Sequence, residues 1–581
     1  MPETPSGAGD TSETEAWLER WRVEAAALEW VRPFDAVAAG RGADRRWFPG
    51  GALNASVNCL DRHLPARAGQ AAIHWEGEPG DRRTLTYGEL HAEVVAAAAG
   101  LAGLGVGPGD RVALYVGLIP EAVVMALACA RLGAVTILLT QALPVEALAD
   151  RLALAAPSVL VTPDAAWRHG VLVPLKARAD EALAAVGAVD ATVVIRRAGL
   201  DVAWYEGDVG YQELLSAGRA AAAASGAGAP VAVPSDHPLL VMQIANRQGR
   251  PCGIVHGTAG YLAAVSALHR QALTTSITDP IFCAVEFAWA GQSQGVYGPL
   301  ASGGTTVLYE GMLDTPRRTR VWDLIDRYGV HTFLTTPSVV RKLRSWGDDG
   351  PAGYGLDSLR LLITGGEPLD TAGREWLVRH VARGRALVAD AWGQLEQGGL
   401  VTLTPLPPGA AGPPDPDLDV FGPGGTPVPV GVTGDMVERR PWPATFVGLE
   451  GGQMGVDHWD RHPGVYATGD WARRESDGSV VCLGRQDPMI SVSGQLVSLA
   501  ELADVLGDHP FVRAAEVRRV ETGERPEVVA YVVLENGVPR NDEVEADLLA
   551  HVHDTIGGLA RPNRIVYVAS LVDVPGYRIG R

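Results

Sequence analysis

The densest set of residues suited to chemistry lies between Tyr466 and Gly494 (YATGDWARRESDGSVVCLGRQDPMISVSG). Asp470 and Arg485 flank Asp477-Gly478, a dipeptide that signals a tight hairpin between alternating apolar residues. A buried Asp accepts from hydroxyls and an Arg offers a forked donor to phosphate oxygens, so the pair suits a site gripping a sugar diol and a phosphate. Taken singly, the same residues fit a surface hairpin with a solvated ion pair. Glu396, in DAWGQLEQGG (390–399), has the carboxylate that a hard cation needs, and alone it fits a solvated loop equally well. Arg247 and Arg250, in NRQGRPCG (246–253), can grip an anion as forks or stand solvated on a short surface turn.

Around these residues the chain alternates strands with helices. Tryptophans and leucines recur at helical spacing over 15–29, which predicts a helix on the main body, while residues 1–15 are expected to be disordered. Residues 111–117 alternate as a strand, Pro120 suits the first turn of a helix running to Leu132, Gly133 ends it, and 134–139 is an apolar strand. Together these make a βαβ unit. Further strands are predicted at 159–162, 192–196 and 239–243, then at 305–309, 332–335, 359–364 and 386–389. The tract 217–230 (AGRAAAAASGAGAP) reads as a low-complexity surface linker, and the Pro- and Gly-rich 404–434 as loops leading to a small β unit. Past Asp487 come helix 500–506, strands 515–520 and 528–534, helix 542–556 and strand 565–568.

Composition narrows the class. A chain of 581 residues, 47% apolar and 20% charged, is a globular protein of more than one domain. Its net charge of −19 argues against nucleic acid or an anionic membrane as partner and leaves room for a local basic pocket. Cys59, Cys129, Cys252, Cys283 and Cys482 are widely spaced, with no Cys-x-x-Cys, which excludes a metal knuckle and predicts reduced thiols in the cytoplasm. The first fifteen residues lack a signal pattern, and no apolar run reaches spanning length. Lys176 and Lys342 are the only lysines, so an Arg where a relative has Lys can reflect composition alone.

In order and spacing, 466–494 resembles the C-terminal pivot of acetyl-CoA synthetases. These belong to the adenylate-forming enzymes, with luciferases and peptide-synthetase adenylation domains, and carry Tyr-x-Thr-Gly-Asp, Gly-Arg-x-Asp and Val-Ser-Gly in that order. Residues 47–64 (WFPGGALNASVNCLDRHL) resemble the N-terminal signature of that branch. The resemblance implies an α/β fold: a large N-terminal domain (1–486) of two doubly wound sheets plus a small β unit, and a small mobile α/β domain (487–581) hinged at Asp487. It implies ATP or AMP, Mg²⁺ and coenzyme A as ligands and a small carboxylic acid or acyl group as substrate, in a monomer or homodimer. Asp470 would hold the ribose hydroxyls, and Arg485 the ribose and α-phosphate. Gly366, Glu367 and Pro368 would pack on the adenine, beside Asp390, Trp392, Gln394 and Leu395. Glu396 would place Mg²⁺.

Several positions depart from the family. The run 239–262 keeps Gly249, Pro251, Gly253, His256, Gly260 and Tyr261 in register with the family's phosphate loop. The hydroxyl positions there are Ile244, Ala245, Arg247 and Gln248, and the two lysine positions are Arg250 and Cys252. Arg247, Gly249, Arg250 and Gly253 remain the phosphate candidates, and His256 a catalytic one. Leu395 replaces a threonine. Gly393 stands where acetate-using relatives carry the tryptophan that closes the acyl pocket, so the cavity is expected to admit a larger acid, unless Phe287 or Trp289 fills the space. Val285, Trp289, Gln292 and Gly393 are the expected lining. The terminal Arg581 falls at the family's catalytic lysine. For coenzyme A, Ser493 and Gly494 keep the pantetheine passage and Arg168 and Arg561 match arginines of the family, but Val171, Gln495 and Leu496 replace its other contacts.

Three functions follow. The first is a ligase that activates a carboxylic acid larger than acetate with ATP and passes it to coenzyme A or another nucleophile, in specialised metabolism. The second is a repurposed enzyme acting on a preformed thioester or adenylate, and the third a non-catalytic binding protein. Loss of the phosphate-loop hydroxyls and lysines separates the last two from the first.

Overall fold

The computed structural model describes residues 8–187, 189–246, 250–274, 276–291, 293–452, 458–486, 489–492, 495–522, 525–556, 561–571 and 574. It opens with helix Ala8–Ala26, so the stretch 8–15, expected to be disordered, is helical. Trp17, Trp21 and Ala25, spaced four apart, bury one stripe of this helix. Trp17 and Trp21 meet Trp47 edge-on at 5.7 and 6.2 Å, and Trp21 meets Trp442 at 5.2 Å. Once packing anchors that stripe, each further residue adds a hydrogen bond for one residue fixed, and the helix grows toward the N-terminus.

Two eight-stranded sheets form the large domain. The first runs Asp208–Gly210, Ala191–Ile195, Val159–Pro163, Arg111–Tyr115, Val135–Leu139, Pro238–Ala245, Pro251–Gly257 and Gly448–Glu450 in spatial order. The second runs Gly399–Thr404, Leu387–Gln394, Leu361–Gly365, Thr332–Thr335, Pro280–Cys283, Thr305–Glu310, Ala71–Gly77 and Arg82–Thr86. Both are parallel inside, and antiparallel strands finish the first at one end and the second at both. One core, with Leu240, Met242 and Ile254 from the first sheet and Ile73, Leu308 and Val401 from the second, joins them. The predicted βαβ unit is there, and Gly133 caps its helix Pro120–Leu132 at φ +72°.

The tract 217–230 is not a linker. Residues 217–225 continue helix Tyr211–Ser225, which Gly226 ends in the left-handed conformation. Alanine is the strongest helix former, and the run packs on helix Tyr87–Gly103. A Cβ at Gly218 would lie 1.9 Å from the Ala96 carbonyl oxygen, so the two backbones touch there. Nearby, Lys176 is wholly buried, its ammonium between Asp180 (2.6 Å) and Asp208 (2.9 Å).

Leu418–Phe421, Thr433–Glu438, Tyr466–Arg474 and Val480–Arg485 form a four-stranded antiparallel sheet, and its first strand lies inside the tract 404–434 that was expected to be loops. After hairpin Met489–Val492/Gln495–Ser498 comes the last unit. It comprises helix Leu499–Gly507, strands Val512–Thr522 and Arg525–Leu534, helix Asp542–Ile556 and strand Arg564–Tyr567, and Leu502, Leu506, Ala530, Val532 and Leu548 are its own core. Among the described residues no helix is long and apolar enough to cross a membrane.

Candidate active site

Several candidates converge where parallel strands of the second sheet end beside the four-stranded sheet, the usual place for a ligand in an open α/β sheet. Strand Leu361–Gly365 runs into Gly366 at φ +95°, a turn that glycine adopts without strain. Glu367 follows, held by the Arg341 guanidinium at 2.6 Å, and Pro368 is exposed beside it. The adjoining strand carries Asp390, Trp392 and Gln394. Asp390 accepts from the Thr364 hydroxyl at 3.0 Å and pairs with Arg374, so it braces the two strands.

Asp470 is the centre of the set. It is 4% exposed, and its Oδ2 accepts from Trp392 Nε1 and Gln394 Nε2, each at 2.9 Å. Gln394 Nε2 also reaches the Thr468 carbonyl at 3.0 Å, tying the large sheet to the small one. Asp470 stands opposite Arg485 in the ladder between Tyr466–Arg474 and Val480–Arg485, so the Asp477-Gly478 turn places acid and base in register. Gln486 donates to the Asp470 carbonyl and to Asp435, each at 2.8 Å, a brace that no sequence pattern announced.

Glu396 lies in the short turn Leu395–Gln397, has no exposed surface, and meets Arg485 Nη1 at 3.4 Å through Oε1. Its Oε2 is buried with no hydrogen-bond partner among the described residues. A carboxylate oxygen left so is costly unless a ligand uses it, and an oxygen of this kind fits Mg²⁺. Leu395 is buried in the main core.

The region of the phosphate loop is a hairpin. Strands Pro238–Ala245 and Pro251–Gly257 pair up to Ala245 and Pro251, and Asn246 closes the turn through its N–H to the Arg250 carbonyl at 2.8 Å. Arg250 is exposed, while Arg247 and Gly249 lie outside the described residues. Cys252, at a family lysine position, is buried, and burial, then Glu396 and Glu450, push its thiol up to about 11. A Cβ at Gly253 would lie 3.1 Å from Glu450 Oε2, and Glu450 pairs with Arg111. Among the described residues this corner has an uncharged thiol at one family lysine position and Arg250 at the other, with Glu450 paired to Arg111 beside them.

His256 is wholly buried, bound to the Ala444 carbonyl at 2.9 Å, and burial pushes its imidazole down to about 4. In this position it fixes the segment that carries Ala444. As the pH falls below 6.5 the unfolded chain takes up this proton first, so the stability it confers is full above 6.5 and lost toward the folded value. Glu310, pushed up to about 7 by burial, acts in the opposite direction. The test therefore compares wild type with His256→Gln in urea. The unfolding free-energy gap between them is expected to narrow as the pH drops from 6.5 to 4, and a constant gap would refute the assignment.

The acyl-pocket candidates converge in part. Val285, Ala391 and Leu400 share a buried cluster against which Trp289 packs. Gly393 lies at an irregularity in the ladder between Leu387–Gln394 and Gly399–Thr404. A Cβ there would lie 2.1 Å from the Gly399 oxygen and 2.6 Å from Leu400 Cα. Backbone thus takes the space that loss of an indole was expected to free, and the volume argument for a larger acid fails at this residue. Gln292 lies outside the described residues, as do Asp487, Ser493, Gly494 and Arg581. Of the coenzyme A candidates, Arg168 is half-buried on hairpin Ala166–Arg168/Val171–Val173, and Arg561 is exposed ahead of the last strand.

Asp470, Arg485 and Glu396 thus stand together where the large and small sheets meet, and the family comparison gives the class. Residues 60–446 match the model for the AMP-binding enzyme, 501–575 the AMP-binding enzyme C-terminal domain, and 15–59 the acetyl-coenzyme A synthetase N-terminus. The chain belongs to the AMP-binding enzyme family. It is 38% identical to acetyl-coenzyme A synthetases of Streptomyces avermitilis (95% of this chain, 86% of that one) and Mycobacterium tuberculosis (95% and 88%). It is 35% identical to that of Pyrobaculum aerophilum (95% and 85%).

Proposed function

We propose that this chain is an AMP-forming acid ligase. The observation that carries the reading is Asp470, buried and fixed by Trp392 and Gln394 opposite Arg485, in a member of this family. In the proposed reaction a carboxylate oxygen of the acid attacks the α-phosphorus of ATP, pyrophosphate leaves, and an acyl adenylate forms. Its acyl group then passes to coenzyme A or another nucleophile with release of AMP. Asp470 accepts from the ribose hydroxyls. Arg485, which meets Glu396 at 3.4 Å, offers its fork to the α-phosphate. Glu396 would hold Mg²⁺, which supplies charge neutralisation on phosphate oxygens. Arg581 serves as the cation at the family's lysine position, the domain 487–581 turns about Asp487, and Arg168 and Arg561 serve coenzyme A. The acid is short and aliphatic, matching the cluster of Val285, Ala391 and Leu400. The partner-strand backbone that closes on Gly393 leaves no added room at that residue for an acid larger than acetate.

One observation favours a second reading, in which ATP is not cleaved. The corner that would meet the β- and γ-phosphates holds the buried, uncharged Cys252 thiol at a family lysine position, and Glu396 and Glu450 both act to keep it protonated. AMP is accordingly expected to bind at least as tightly as Mg-ATP by calorimetry, and a clear ATP preference would contradict this. Pyrophosphate exchange over a panel of short acids decides between the readings. Exchange with one acid, lost by about 10²–10³ in Arg581→Ala and kept in Arg581→Lys, supports the ligase. AMP binding without exchange for any acid rejects it.

A further inference from the structure

The turn beside Arg168 is held by a buried acid that the proposed reaction does not use. Hairpin Ala166–Arg168/Val171–Val173 has strands of three residues, and among the described residues it pairs with no other strand. A two-stranded ribbon of that size is marginal by itself. Its two-residue loop has His169 at φ +53° and Gly170 at φ +76°. Such a turn follows the twist of the strands, but it puts a residue with a Cβ in the left-handed region. The hairpin therefore needs a hold from outside.

Glu78 supplies it. The residue follows strand Ala71–Gly77 of the second sheet and is 2% exposed. Its Oε1 accepts from the Gly170 N–H, and its Oε2 from the N–H groups of His169 at 3.2 Å and Met312 at 2.8 Å. Met312 lies just past strand Thr305–Glu310, the neighbour of Ala71–Gly77, so the carboxylate pins the hairpin to the ends of two adjacent strands. A Cβ at Gly311 would stand 2.6 Å from that of Glu78, which leaves the acid little room to swing. Asp314 adds a weaker hold, 3.6 Å from His169 Nδ1 and 2.7 Å from Lys342 Nζ.

We propose that Glu78 is the positioning residue for Arg168, and that it governs coenzyme A affinity and leaves nucleotide affinity alone. The proposal rests on the reading above in which Arg168 serves coenzyme A. Arg168 is the last residue before the turn, and Glu78 engages the N–H groups of the two residues after it. The acid thus fixes the backbone and leaves the guanidinium to a ligand, which lowers the entropy lost on binding.

The test measures coenzyme A and AMP binding to the full chain by calorimetry. Arg168→Ala and Glu78→Gln are each expected to weaken coenzyme A binding about tenfold, as loss of a hydrogen bond to a charged group does, with AMP affinity kept within about twofold. The glutamine keeps the shape, but one of its ends is an NH2 group that must face a backbone N–H. Because both changes act through one guanidinium, the double variant should bind coenzyme A no worse than Arg168→Ala. A purely structural acid would not couple to Arg168 in this way. Coenzyme A binding that is unchanged in Arg168→Ala, or absent in the wild type, overturns the coenzyme A reading and this proposal with it. Weakening in Arg168→Ala without weakening in Glu78→Gln overturns the proposal alone. So does a double variant weaker by about a hundredfold, or AMP affinity that falls with coenzyme A affinity in Glu78→Gln. Should Glu78→Gln not fold, Glu78→Asp, which keeps the charge and shortens the reach, is read by the same outcomes.

Discussion

Replacing Asp470 with alanine is expected to lower AMP affinity by about 100-fold, the loss of roughly two hydrogen bonds to a charged acceptor. The same change strips the acceptor from Trp392 Nε1 and one of the two acceptors of Gln394 Nε2. Stability should therefore fall by about 1–3 kcal/mol as well. Asp470→Asn separates the effects. Its amide oxygen still receives the indole and the Gln394 amide, so the fold should hold, while the neutral group accepts poorly from a diol. Calorimetry with AMP and urea unfolding of both variants provide the check. If Asp470→Asn bound AMP as the wild type does, the ribose assignment would be wrong.

Gly393→Ala is expected to destabilise the protein by about 3 kcal/mol or more, a large effect for a single methyl. The added Cβ would stand 2.1 Å from the Gly399 oxygen and 2.6 Å from Leu400 Cα. Those are backbone atoms of the partner strand, which cannot turn aside as a side chain does. Gly393→Trp should be worse, failing to fold or splitting the strand pair, and it should not simply narrow a cavity. Urea midpoints with an unchanged slope measure the alanine variant. A cost under about 1 kcal/mol would mean that the two strands separate easily and that the pocket has room after all.

Residue type and spacing reached far into this molecule where chemistry and backbone agree. Asp-Gly between apolar runs predicts a hairpin, and that hairpin sets Asp470 opposite Arg485. Pro120 and Gly133 bracket a helix as their backbone preferences require. Gly393 shows the limit, since inferring a void from a lost side chain assumes a fixed backbone, and here the backbone moves in. Residues 217–230 mislead for another reason. Low complexity resembles a linker, yet a run of alanine is the best helix sequence, and only a neighbouring helix tells which applies. Braces such as Arg341 on Glu367, Arg374 on Asp390 and Gln486 on Asp435 join residues from 16 to 51 positions apart. No local pattern carries such pairs. Glu78 is likewise an ordinary acid in the sequence, and only its burial and its backbone partners set it apart.

The burial of Lys176 also makes the surface unusual to a chemist. Its side chain has 0% exposure, against 44% for Lys342, and the chain has no other lysine. Lys342 is therefore the one side-chain amine open to an acylating dye. It sits on helix Pro337–Ser345, over the ring of Trp346 and one residue from the Arg341 that holds Glu367. A label placed there marks the nucleotide side of the large domain and leaves the C-terminal unit unmarked.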